Sequence, residues 1–230
     1  MLPIRDNVRS KSFPFVNVAI IIACVGVFFA QLTIRGSQAW AFEPNMLVPW
    51  RGPGVGHALG ALFLSMFMHG GLMHIGGNML FLWVFGDNVE DRMGHVKYLF
   101  FYMICGVIAT LSHSAFALFT GGGSMSLVGA SGAIAGVLGA YFVLFRHARI
   151  RTLVFLFFII TMVDLPAGFF LIYWLIIQVF SIGAASGVAY MAHIGGFAAG
   201  YLLVRVFADT SKPRPPQAPP RPRVTNLRIE

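Results

Sequence analysis

Charged residues are scarce in this chain. Only 10% of its 230 residues are Asp, Glu, Lys or Arg, whereas soluble domains carry roughly 25%. This shortage excludes an ordinary soluble domain. Several apolar runs instead reach the ~20 residues that a helix needs to cross a bilayer. The chain has 16 basic residues and only 8 acidic ones. In a soluble protein, this excess of basic residues would suggest nucleic acid binding. The composition indicates a polytopic membrane protein.

Cysteine and metal-binding patterns are equally sparse. Cys24 and Cys105 lie in separate apolar runs with no motif around them, which is typical of small buried hydrophobic residues. The chain has no His-Glu-x-x-His zinc motif, and the Gly86-Asp87 pair has no second aspartate of the kind that paired-carboxylate chemistry in a membrane requires. We therefore expect no metal and no cofactor.

The apolar runs predict an all-α polytopic fold with six membrane spans. The fifth run is too long for one crossing and contains Asp164 and Pro166, so we expect an interfacial entry and then a span from about Pro166 to Ile182. The apolar piece from Ala58 to Met68 is predicted to be an interfacial or re-entrant outer loop between the first two spans. The predicted spans are about 16–34, 71–86, 97–119, 129–145, 152–181 and 187–207.

The basic residues predict the orientation. With the N-terminus inside, six spans return the C-terminus inside, and only Arg35 and Arg51 of the 16 Lys and Arg lie outside. This bias favours a multi-pass protein of the cell (plasma or inner) membrane with both termini cytoplasmic. The inner basic surface is expected to contact anionic lipid, and nucleic acid is not an expected partner. We predict three parts: a cytoplasmic segment 1–15, a six-span domain 16–207, and a disordered Pro/Arg-rich cytoplasmic tail 208–230.

Four polar residues inside the predicted spans fall at similar depths. Such residues are costly in lipid and are functional candidates. At a helical rise of about 1.5 Å per residue, Ser131, His193 and His74 lie roughly 22, 18 and 20 Å above the nearest inner charge. Asn78 lies one turn deeper, on the same helix face as His74. Against a hydrocarbon core of about 30 Å, Ser131, His193 and His74 share the outer half of the membrane.

Glycine stripes offer a way for two of these spans to approach each other. Gly132 and Gly136 follow the serine, and Gly196 and Gly200 follow the second histidine, both at the small-xxx-small spacing that lets helices pack closely in lipid. Alone, each stripe is ordinary packing, and a lone membrane serine usually bonds its own helix backbone. Their coincidence at one depth favours a site in which hydroxyl and imidazole come within hydrogen-bond reach.

The rhomboid intramembrane serine proteases have signature motifs that resemble three segments of this chain, in order. These segments are His69-Gly-Gly-Leu-Met-His74-Ile-Gly-Gly-Asn78, Gly129-Ala-Ser131-Gly132 and Ala192-His193-Ile-Gly-Gly-Phe. The resemblance covers about residues 14–207. It implies a six-span rhomboid-like bundle that hydrolyses peptide bonds of membrane-spanning substrates.

The resemblance also implies roles for individual residues. Ser131 would be the nucleophile and His193 the general base, a dyad without a carboxylate. His74, Asn78 and the backbone N–H of Ser131 would donate to the oxyanion, and preorganised donors of this kind are typically worth 10²–10³ in rate each. Gly129 would free the backbone for a tight loop that enters the serine's helix.

Further resemblances are structural. The segment 86–94 resembles the family's inner cap of the second span, where Glu90 and Arg92 would form anchoring cytoplasmic hydrogen bonds. Ala135, one turn after Ser131, stands where some members carry an aromatic ring against the base.

Three functions stay open at this point. The leading one is a serine-type endopeptidase that cleaves single-span membrane proteins near the outer membrane boundary. A second is a catalytically silent rhomboid-like protein that binds membrane proteins for quality control. A third, a small transporter or proton channel, would need paired membrane ionisable groups, for which only His193, His74 and Asp164 qualify.

Overall fold

The apolar runs of the sequence fold into helices, with glycine or proline at several of their ends. The computed structural model describes residues 1–48, 50–156, 159–184 and 187–208, so the predicted tail from residue 209 onward lies outside the described residues. Within these ranges lie seven α-helices and one three-stranded sheet. The helices are α1 Phe15–Thr33, α2 Val55–Leu64, α3 Leu72–Met93, α4 His95–Thr120, α5 Ser131–Phe145, α6 Ala167–Phe180 and α7 Tyr190–Phe207, and the strands are β1 Leu2–Asp6, β2 Arg149–Leu156 and β3 Ile159–Pro166.

Three of the described helices are long and apolar enough to cross a membrane, namely α1, α4 and α7. The helices α2, α5 and α6 are apolar but shorter, and α3 carries charged residues in its last turns. The fold is therefore a mostly helical bundle built from apolar helices. Six crossings remain a prediction, as does the interfacial position of the outer segment, part of which forms α2.

The sheet departs from the all-α prediction. Residues assigned to the start of the fifth span form the antiparallel hairpin β2–β3, and β1 from the N-terminal segment pairs with the other edge of β2. The hairpin places Arg151 opposite Asp164, and the guanidinium donates to the carboxylate at 2.9 and 3.0 Å. The apolar residues of this stretch are largely β-branched or aromatic, which suits strands. Pro166 ends β3 and precedes the first residue of α6, where its missing N–H costs no helical bond.

The helix that carries Ser131 lies at the centre of the bundle. α5 packs against α3, α4, α6 and α7, and its residues from Gly132 to Tyr141 are all buried. A helix enclosed on this scale has its position set by its neighbours, because close-packed interiors tolerate little displacement. The residue at its start is therefore held in a fixed place.

The glycines of α5 and α7 let these helices approach at backbone distance. A Cβ on Gly196 or Gly200 would strike the carbonyl oxygen of Gly132 or Gly136, respectively. A Cβ on Gly132 would come 2.7 Å from that of Ala109 in α4. Both glycine stripes therefore lie at helix contacts, and a side chain at any of these four positions would push helices apart.

Glu90 anchors the beginning of α1. This fully buried carboxylate of α3 accepts hydrogen bonds from the backbone N–H groups of Val16 (3.0 Å) and Asn17 (2.7 Å), and it lies 2.5 Å from His95 Nδ1. The first N–H groups of a helix have no acceptor within the helix, and the Glu90 carboxylate of a neighbouring helix is the acceptor for two of them. Arg92 is also buried, in the last turn of α3.

The N-terminal strand is tied to the end of α5 through Asp6. Its Oδ2 accepts hydrogen bonds from the Tyr141 hydroxyl and from Asn88 Nδ2, the latter at 2.8 Å. Burial raises the pKa of the Asp6 carboxyl from 3.8 to about 7, the hydrogen bond from Tyr141 opposes the shift, and the nearby Asp87 carboxylate adds to it. The predicted segment 1–15 is thus packed against the helical domain.

The raised pKa of Asp6 predicts that stability falls with rising pH. Between its unfolded value near 3.8 and its folded value near 7, the folded protein binds more protons than the unfolded chain. The free energy of unfolding therefore falls as pH rises through this window. We expect the melting temperature in detergent to fall from pH 5 to pH 8, and the fall to shrink in Asp6→Asn. In the control Asp164→Asn, the fall in melting temperature should persist. The hydrogen bond from Arg151 lowers the pKa of this exposed carboxyl, so Asp164 titrates below the pH window of Asp6. An undiminished fall in Asp6→Asn would contradict the assignment.

Candidate active site

A glycine shapes the loop that enters α5. Gly129 has φ +130°, a conformation that residues with side chains rarely adopt, and its N–H donates to the Ser65 carbonyl at 2.9 Å. A Cβ on Gly129 would lie 2.8 Å from His74 Cε1 and 2.9 Å from His74 Nε2. Only glycine therefore lets this loop pass so close to the imidazole of α3.

Ser131 and His193 meet at the beginnings of two helices. Ser131 is the first residue of α5, and His193 lies in the first turn of α7. The distance from Ser131 Oγ to His193 Nε2 is 2.8 Å, which is a normal hydrogen-bond length. The close backbone contact of these two helices brings the hydroxyl and the imidazole together across 62 residues of sequence.

Two residues of α6 hold the other side of the histidine, and the sequence motifs did not point to them. Gln178 Oε1 lies 2.7 Å from His193 Nδ1, and the Trp174 ring centroid lies 5.7 Å from that of His193. Trp174 thus supplies an aromatic neighbour where Ala135 cannot. The sequence does carry a signal for Gln178, because an amide inside an apolar helix is unusual in a membrane protein.

The imidazole of His74 points its second nitrogen toward the serine loop. The Gly70 N–H donates to His74 Nδ1 at 3.4 Å. Because Nδ1 accepts this bond, a neutral His74 carries its proton on Nε2, the atom that faces Gly129 beside Ser131. His74 therefore presents a donor on the side of the serine.

Asn78, one turn further along α3, also presents a donor. Its side chain is buried, and its Nδ2 has no hydrogen-bond partner among the residues that the structure describes. Buried polar groups are nearly always bonded, so this donor is available to a group that binds beside it.

These side chains share one cavity of about 880 Å³. Ser131, His193, His74 and Asn78 all line it, together with Trp174. Apolar side chains form much of the rest of its wall, which lowers the local dielectric constant and strengthens electrostatic interactions. The arrangement combines a hydroxyl bonded to a base with donors positioned beside it, in a space large enough for a short extended peptide. Within the described residues, no group of three or more His, Cys, Asp or Glu could hold a metal ion.

The chain is also similar in sequence to known proteins. Residues 56–210 match the family described as the Rhomboid domain. The chain belongs to the rhomboid family. The rhomboid domain thus spans α2 to α7, and every residue of the cavity described above lies within it.

Individual relatives of this rhomboid chain are distant. It is 29% identical over 219 residues to rhomboid protease GlpG of Klebsiella pneumoniae, covering 90% of this chain and 67% of that protein. It is 29% identical over 227 residues to RHOMBOID-like protein 1 of Arabidopsis thaliana, covering 85% of this chain but 54% of the relative. It is 33% identical over 144 residues to rhomboid protein 1, mitochondrial, of Saccharomyces cerevisiae, covering 60% and 39%. The chain therefore spans from about two fifths to two thirds of the length of these relatives.

Membership of the rhomboid family and the apolar helices establish a multi-pass membrane protein. One of the relatives above is named a rhomboid protease. The roles of individual residues do not follow from these matches.

Proposed function

We propose that this protein is an intramembrane serine endopeptidase that uses Ser131 as nucleophile and His193 as general base. The observation that carries the proposal is the 2.8 Å hydrogen bond between Ser131 Oγ and His193 Nε2 in the wall of the cavity. A nucleophile within hydrogen-bond reach of its base is the arrangement that acyl transfer requires. Ser131 also lies at the N-terminus of α5, where the helix dipole favours the negative charge that develops on the oxyanion beside it.

The proposed reaction forms an acyl-serine ester and then hydrolyses it. Ser131 Oγ attacks the carbonyl carbon of the scissile peptide while its proton passes to His193 Nε2, and the carbonyl oxygen becomes an oxyanion. The C–N bond then breaks, and the leaving amine takes the proton from His193. The same imidazole then takes a proton from a water molecule as that water attacks the acyl-serine ester. It returns the proton to Ser131 Oγ as the bond from Oγ to the acyl carbon breaks and the second fragment leaves as a carboxylic acid.

The oxyanion would accept hydrogen bonds from three donors. Ser131 is the first residue of α5, so its backbone N–H has no acceptor within the helix. His74 presents Nε2–H on the side of the serine, and Asn78 Nδ2, which has no partner among the described residues, borders the same cavity. Donors that are already oriented need no rearrangement as charge develops, which is the main source of their catalytic effect.

The substrates that we propose are single-span membrane proteins. The cavity is bordered by Gly70 and Gly71 and by the segment 125–128 that precedes α5. A helical substrate must unwind there, because its carbonyls are otherwise bonded and shielded within the helix. We further propose the inward orientation of both termini that the basic residues favour, in a cell membrane with anionic lipid on the cytoplasmic side. Cleavage would then occur near the outer boundary.

Two measurements on purified protein in proteoliposomes test the proposal. We expect cleavage of a model single-span substrate at one site near the outer boundary, detected by mass spectrometry of both fragments. We also expect a fluorophosphonate to form a covalent adduct that maps to Ser131 and blocks that cleavage, because the hydrogen bond to His193 activates this hydroxyl. Protein inactivated by heat is the control. Binding of the substrate with neither cleavage nor labelling would instead indicate the catalytically silent binding protein.

A further inference from the structure

Gln178 is placed to control which nitrogen of His193 carries the proton. The glutamine side chain is buried in α6, one turn beyond Trp174, and its Oε1 lies 2.7 Å from His193 Nδ1. A general base needs its lone pair on the nitrogen that faces the nucleophile, and a neutral imidazole can carry its proton on either nitrogen. The partner of the far nitrogen therefore decides whether the near one can act as a base.

A second hydrogen bond fixes the direction of the amide. Gln178 Nε2 donates to the backbone carbonyl of Trp174 at 3.1 Å, and a carbonyl can only accept. The Gln178 atom that faces His193 must then be Oε1, which also can only accept. His193 Nδ1 must therefore be the donor, and the neutral ring keeps its lone pair on Nε2. This lone pair faces Ser131 Oγ at 2.8 Å.

We infer that Gln178 is a positioning residue for the general base, with its neutral amide holding His193 in the Nδ1–H tautomer. The inference rests on the proposed function and extends it. When His193 takes the serine proton, the Nδ1–H bond to Gln178 Oε1 persists and the amide dipole faces the new positive charge. The indole of Trp174, with its centroid 5.7 Å from that of the imidazole, limits rotation of the ring about this bond. The helix α6 thus orients the base that α7 carries.

Three variants separate positioning from packing. Gln178→Met keeps the length of the side chain but removes the acceptor, and we expect kcat to fall about tenfold, the effect of one lost hydrogen bond, with little change in KM. Gln178→Glu retains an acceptor oxygen and should restore most of kcat. Phe170→Leu, in the same helix, removes the ring contacts with Phe81 and Phe85. It should leave the tautomer of His193 unchanged.

The protonation of His193 is measured directly by nitrogen NMR of the full-length protein labelled with ¹⁵N-histidine in detergent, with His193→Ala to assign its signals. We expect a protonated Nδ1 and an unprotonated Nε2 in the wild type and in Phe170→Leu, and a mixture of tautomers in Gln178→Met. A proton on Nε2 in the wild type would overturn the inference, as would an unchanged kcat in Gln178→Met. A protein that shows the expected tautomer but neither cleaves substrate nor reacts with fluorophosphonate would refute the proposed function, while the assignment of the His193 tautomer to Gln178 would stand.

Discussion

Replacing Ser131 by alanine is expected to lower the rate of substrate cleavage in proteoliposomes by about 10⁴-fold or more, because losing the nucleophile of a serine protease has effects of this size. Fluorophosphonate labelling should disappear with it. The side chain of Ser131 lies on a cavity and its hydroxyl is bonded to His193, so the melting temperature in detergent should change little. His193→Ala should reduce cleavage to a similar extent, since the two groups act as one unit and their effects are not additive.

A second membrane serine provides the matched control. Ser114 is buried in α4, where its hydroxyl donates to the Thr110 carbonyl of its own helix at 2.7 Å. Ser114→Ala removes the same atom at a position where the hydroxyl bonds a backbone carbonyl instead of a base, so we expect normal cleavage and normal labelling. Cleavage by Ser131→Ala at a rate near that of the wild type would refute the proposed mechanism. Normal cleavage by His193→Ala would refute the role of His193 as the general base, but it would not contradict the role of Ser131 as the nucleophile.

The helices were largely predictable from the sequence, whereas the sheet was not. The predicted span 16–34 corresponds to α1, and 97–119 corresponds to α4 with its ends shifted by a residue or two, because long apolar runs have a strong and local signal. The hairpin β2–β3 has no such signal, since a run rich in Val, Ile and Phe suits a buried helix as well as a strand. Its third strand comes from residues 2–6, which pair with β2 although the two segments are far apart in the chain. Pairing over this distance is decided by the tertiary structure.

The depths of the site residues were also predictable from the sequence, whereas the orientations of their side chains were not. Depth along a helix is proportional to the number of residues, so the spacing of the chain alone assigns Ser131, His193 and His74 to one level of the membrane. The direction in which a ring points is set instead by the helices packed around it. Gln178 and Trp174 contact His193 from α6, and no spacing rule indicates which face of α6 turns toward α7. The catalytic roles of all these residues remain predictions that the variants test.

The second large expected effect concerns the side chains that would donate to the oxyanion. Asn78→Ala is expected to lower kcat by about 10²–10³-fold with little change in KM, because the donor acts on charge that develops only in the transition state. His74→Ala should have an effect of similar size. The measurement is the steady-state rate of cleavage of the model substrate over a range of substrate densities in proteoliposomes, which separates kcat from KM.

A contrast between two buried asparagines shows whether the loss is catalytic or structural. Asn78 Nδ2 has no partner among the described residues, so its removal breaks no bond that the amide donates within that part of the protein and should leave the melting temperature nearly unchanged. Asn17 donates to the Leu82 carbonyl at 3.0 Å and accepts from the Tyr98 hydroxyl at 2.8 Å. Asn17→Ala should therefore lower the melting temperature, because it leaves buried partners unbonded. If Asn78→Ala lowered the melting temperature as much as Asn17→Ala, Asn78 would be a structural residue. If it raised KM and left kcat unchanged, Asn78 would be a substrate-binding residue. In either case the donors to the oxyanion would be His74 and the Ser131 N–H.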